Sequence, residues 1–210
     1  MGTRKRAAII TLISAATVLL LLAAFTACGC DRSQPTPDSA AEKKAEEDVQ
    51  EGNGAGEYDL TLYFHYSADK RELLAPQERT VSGVTDPYRT AMEELIAGPE
   101  PGTQLLPVLP DTVEVLDIEV ADGIATVDVS KEILTDANQV GVSAEKEGLA
   151  LSAIANTMTE FDEVSRVKLL IEGMQSGMVE GRFVEDFWGH TGLPEYLERN
   201  EDIIFLETPL

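Results

Sequence analysis

Between residues 59 and 66 apolar and polar side chains alternate, with Leu60, Leu62, Phe64 and Tyr66 on one side of the chain, and this period of two predicts a first strand. A loop with a short strand at residues 79–82 leads to Asp86-Pro87, a helix cap followed by proline in the first helical position. Tyr88, Ala91, Met92, Leu95 and Ile96 then recur at helical spacing until Gly98-Pro99 stops the turn. Further on, Asp122-Gly123 separates two alternating runs and suits a two-residue hairpin turn. In that register Ala121 faces Ile124, Val120 faces Ala125, Ile118 faces Val127 and Leu116 faces Val129, while Glu119–Thr126 and Asp117–Asp128 make a wet opposite face. Ser143 caps a second helix whose stripe is Ala150, Ala153, Ile154, Thr157, Met158 and Phe161, broadened by Leu149 and Leu151. Residues 167–171 are nearly all apolar and predict a strand inside a sheet. Residues 182–188 read as one last strand, and residues 189–210 as a covering segment or tail. Each helix has one apolar stripe to bury, so the economical fold is α+β: a mixed β-sheet with two helices packed on one face.

What precedes the first strand is of another kind. Arg4-Lys5-Arg6 is followed by an uncharged stretch to Ala27, a basic and then an apolar region. Phe25-Thr26-Ala27-Cys28 puts small residues just before a cysteine, which resembles a bacterial lipoprotein signal over residues 1–27, with Cys28 as the lipidated N-terminus and Phe25 where leucine is usual. The alternative is an uncleaved membrane anchor, since the stretch is long enough to span the hydrocarbon. Either way the positive end stays inside, and the remainder lies on the extracytoplasmic face of the cell membrane. Residues 28–57 read as a disordered acidic linker: from Asp31 to Glu57 there are eleven charged residues, and Val49 is the one large aliphatic. Residues 58–188 then form a single folded domain.

Charge narrows the partners. The 210-residue chain carries 16 Lys and Arg against 38 Asp and Glu, a formal charge of −22, and 43% of it is hydrophobic, enough for one core. Removal of residues 1–27 takes three cations and no anions, leaving −25. Nucleic acid is excluded as a partner, because phosphate binding needs clustered cations. Cys28 and Cys30 cannot staple a fold or supply four metal ligands, and no motif requires a cofactor. Ser143-x-x-Lys146 has the spacing of penicillin-binding enzymes but lacks their companion motifs, so Ser143 reads as a cap. His65 alternates outward from the first strand; Asp186 and His190 are the one pair to weigh as metal ligands, and otherwise read as surface groups. Phe183, Phe187 and Trp188 read as packing anchors or, in the sharper reading, as an exposed partner contact.

Leu62-Tyr63-Phe64, then residues 89–99 (RTAMEELIAGP), then residues 123–132 (GIATVDVSKE), together resemble the GerMN domain of sporulation and germination lipoproteins. The helix at residues 149–161 and the strand from Val167 continue the similarity, which covers nearly all of residues 58–173. The resemblance implies a non-catalytic α/β module similar to ring-building folds, serving as an envelope scaffold with protein partners and weak self-association. This chain has one copy of the domain where the family's namesake has two. The competing reading is an extracytoplasmic binding module for a small ligand or cell-wall polymer, which a deep pocket near Trp188 would favour.

Overall fold

The computed structural model describes residues 56–136 and 143–205; the leader, Cys28 and residues 29–55 lie outside the described residues. Strands β1 (Gly56–Ala68) and β2 (Arg71–Val84) form a long antiparallel hairpin. The short strand expected at residues 79–82 is thus the end of a 14-residue one. Its start escapes a sequence reading because Asp69 and Lys70 make the turn with φ of 50° and 66°, a conformation normally signalled by glycine or asparagine. Helix α1 (Pro87–Ala97) begins as predicted: the Asp86 carboxylate accepts the Arg89 N–H at 3.0 Å.

The other sheet is mixed and has four strands, in the order Val115–Ala121, Ile124–Val129, Arg166–Ile171 and Leu197–Glu198. Strands β3 (Val115–Ala121) and β4 (Ile124–Val129) are the predicted hairpin, and the Ile118–Val127 and Asp117–Asp128 pairs hold. One pair does not. Val115, not Leu116, faces Val129, because a bulge inserts a residue between Val115 and Asp117 and leaves Leu116 exposed. Arg89 of α1 donates to the Val115 carbonyl at 2.7 Å and to that of Leu116 at 3.2 Å, fixing the bulge against the helix. After the short helix α2 (Glu132–Thr135) comes α3 (Ala144–Met158), which carries the chain back to β5 (Arg166–Ile171), parallel to β4. A parallel pair needs such a crossover, and α3 supplies it.

Helices α1 and α3 pack on each other and on β1. Leu62, Phe64, Met92, Leu95 and Ile154 are fully buried where these elements meet, as is Leu169 of β5, which also packs on α3, each contributing roughly 1.5–3 kcal/mol of apolar burial. The fold is α+β, as the patterning predicts.

The chain after β5 departs most from expectation. Strands β6 (Met178–Val179) and β7 (Arg182–Phe183) form a small hairpin, and the strand expected over residues 182–188 ends at Phe183. A 3-10 turn, Val184–Asp186, follows, and Phe187 at φ 48° swings the next two aromatic rings inward. Residues 189–205 are part of the folded unit. They supply β8 (Leu197–Glu198), antiparallel to β5 at the sheet edge, and a bridge from Ile204 to Leu74 of β2. The Phe205 N–H donates to the Leu74 carbonyl at 2.7 Å, so one segment ties both sheets together.

Candidate functional site

Helix α3 begins with Ser143, whose hydroxyl accepts the Lys146 N–H at 3.4 Å, so this serine acts as the cap. One turn later stands Glu147, an acidic residue with no exposed surface. Its carboxylate is matched by backbone. Oε2 accepts the His190 N–H at 2.9 Å, and Oε1 accepts those of Thr191 and Gly192 at 3.1 and 3.0 Å. Three successive N–H groups converging on one anion make a nest, and here the anion is the protein's own. The loop is fixed from behind as well: the Leu193 N–H donates to the Glu185 carbonyl at 2.8 Å, and a Cβ on Gly192 (φ 75°) would stand 3.0 Å from that same oxygen.

Toward the other end of α3 a second attachment is built from side chains. Asn156, fully buried, donates from Nδ2 to the Asn200 carbonyl at 3.0 Å and accepts the Asn200 N–H at 2.8 Å. Arg199 donates to Glu160 Oε1 at 2.8 Å and to the Tyr63 hydroxyl at 3.0 Å, while that hydroxyl donates to Glu160 at 2.6 Å. Burial and the adjacent Glu160 carboxylate push the Tyr63 phenol up to about 12.

Between the two attachments lies a groove of about 500 Å3. Its floor is the open face of α3 at Gly148, Leu151 and Ser152, and its far wall runs through residues 191–194 to Tyr196, Leu197 and Glu198. Leu151, Leu193, Pro194 and Leu197 make it apolar, and Glu185 and Glu198 are the charged residues that line it. Backbone N–H groups, its own and that of Gly177, hold the Glu185 carboxyl below the usual carboxylate range. Gly148 stands inside a helix, where glycine costs about 0.5–1 kcal/mol relative to alanine. Among the described residues nothing requires it: a Cβ there would meet no atom within 4 Å.

The aromatic residues singled out in the sequence do not form one surface. Phe183 is 48% exposed and faces the exposed Met178 across the small hairpin. Phe187 and Trp188 are buried and stack with ring centroids 4.9 Å apart, and the indole N–H donates to the Ile133 carbonyl at 2.7 Å. These two are packing anchors, both buried and with Trp188 bonded to α2, and as a partner contact the trio reduces to the exposed Phe183. Trp188 does not line the groove. His65 is also buried, against the expectation that it faces outward. The segment at Leu106 pairs with the His65 backbone, and its imidazole meets Glu72. Asp186 and His190 gather no third ligand, and among the described residues no group of three or more His, Cys, Asp or Glu is placed to hold a metal. Cys28 lies outside the described residues.

Nothing in the local sequence pattern marks Glu147 as a functional residue. Glu147 looks like any first-turn acid, and its partners are more than forty residues away. Gly148 did leave a signal, a glycine within a helical pattern.

A family model described as sporulation and spore germination, Germane, matches residues 61–177. The chain belongs to the Germane family. Its fold is similar to the tandem GerMN domains of the sporulation protein GerM from Bacillus subtilis, at TM-score 0.55 and 23% identity over 71% of this chain and 48% of that one. This chain therefore spans about half the length of that tandem structure. The first GerMN domain of GerM alone aligns at TM-score 0.50 and 23% identity, covering 68% of this chain and 98% of that one. A candidate lipoprotein from Clostridium perfringens is 28% identical, with TM-score 0.45, over 70% of this chain and 91% of that one. No curated protein matches the chain. The Germane match ends at residue 177, so the floor of the groove lies inside it and the far wall, from Glu185 onward, lies outside.

Proposed function

We propose that this Germane-family chain is a lipid-anchored envelope lipoprotein of a Gram-positive bacterium, acting in sporulation or germination as a non-catalytic protein-binding scaffold. The leader ending at Ala27-Cys28 supports export and acylation, and the acidic residues up to Glu57 act as a spacer that lets the domain stand off the membrane. The observation that carries the binding role is the groove: an apolar cleft held open by a buried carboxylate on one side and a side-chain network on the other.

Mass spectrometry of the membrane-extracted protein tests the anchor. The expected species begins at a diacylated or triacylated Cys28, and unprocessed chain free in the cytosol contradicts the reading. Turnover of any substrate that one point substitution abolishes would contradict the non-catalytic role.

A further inference from the structure

Strand β8 is the last strand of its sheet, paired through Leu197 and Glu198 with β5 on one side and with no strand among the described residues on the other. The groove is bordered by that strand and by the open face of α3. A sheet edge beside an apolar channel is the arrangement by which an extended segment is taken up, main chain against the edge and alternate side chains into the channel.

We infer that the groove between α3 and β8 binds an extended, basic segment of a partner protein as an added strand. This deepens the scaffold reading above and rests on it for the kind of partner. Three observations select the occupant. Glu185 and Glu198 line the channel with no lysine or arginine among the lining residues, which favours a cationic segment. The chain's charge of −22 opposes a second copy of itself in the same place. And Gly148 leaves α3 without a side chain just where the segment crosses the helix, a gap that no contact among the described residues explains.

Selection of a displayed random hexapeptide library against the full chain in lipid nanodiscs, with the Gly148→Leu variant as the counter-target, tests this. Leucine is a better helix former than glycine and would fill the channel floor, so the variant is expected to unfold no lower than the parent while losing the site. The expected winners alternate apolar residues with lysine or arginine. Their synthetic copies are expected to bind at least about tenfold more weakly to Gly148→Leu and to Glu198→Lys, and to lose binding when alternate backbone nitrogens are methylated. Winners that bind the Gly148→Leu chain equally well, that tolerate N-methylation, or that are acidic would overturn the inference. So would an absence of enrichment over the counter-target, or a Gly148-dependent self-association in ultracentrifugation. The selection reports on the groove alone; the mass of the Cys28 peptide reports on the envelope reading, so either can fail without the other.

Discussion

The two ends of α3 hold the same C-terminal segment by opposite means. Near the start of the helix, one buried carboxylate collects three backbone N–H groups. Toward its end the load is spread over Asn156, Glu160, Arg199 and Tyr63, whose hydrogen bonds partly duplicate one another. A concentrated attachment is compact and leaves the next turn of the helix bare, whereas a distributed one covers the surface it uses. That difference is why the groove opens at Gly148 and Ser152 and closes at Asn156.

If the contrast is real, single substitutions cost most where attachment is concentrated. Glu147→Ala leaves three part-buried N–H donors without their buried acceptor and is expected to destabilise the domain by about 3 kcal/mol in chemical denaturation. Glu147→Gln should recover about half of this, since one amide oxygen can still serve Thr191 and Gly192 while the amide nitrogen faces the His190 donor. At the other end, Asn156→Ala removes both bonds to Asn200 but leaves Arg199 in place, with an expected loss of about 2 kcal/mol. A larger loss at Asn156 than at Glu147 would reverse the comparison.

Tyr63 sharpens it through pH. Its neutral phenol donates to Glu160, and its pKa rises from 10.0 to about 12 on folding. Its contribution is therefore fully present below pH 10 and is lost as pH climbs toward 12. Tyr63→Phe should cost about 1 kcal/mol at neutral pH and flatten the decline of stability between pH 10 and 12, as read by urea unfolding at several pH values. The smallest effect has the opposite sign: Gly148→Ala is expected to raise stability by about 0.5 kcal/mol, because the bare position is not needed for folding.

Most of what frames the groove could be read from local pattern. The Asp86 and Ser143 caps, the Asp122-Gly123 turn and the stripes of α1 and α3 are decided by neighbours within a few residues, and each appears where the spacing places it, except that α3 ends at Met158 and Phe161, expected in its stripe, lies past the cap at Thr159. Local pattern failed where a distant partner or an unmarked turn decides. The turn at Asp69-Lys70 has no glycine, so most of β2 looks like loop from local pattern alone. The bulge at Leu116 obeys Arg89, and the burial of His65 depends on the segment at Leu106. The far wall of the groove has no period of its own; it is shaped by Glu147 from 43 to 45 residues away, and a chain with few apolar residues between 189 and 196 offers no sign of that.

The account depends on the C-terminal segment being a fixed wall, held by Glu147. Amide hydrogen exchange at His190, Thr191 and Gly192 tests this most directly. These residues belong to no helix or strand, yet they are expected to exchange as slowly as the α3 amides, and to become fast together in Glu147→Ala. Exchange at the rate of an open loop in the parent chain would contradict it.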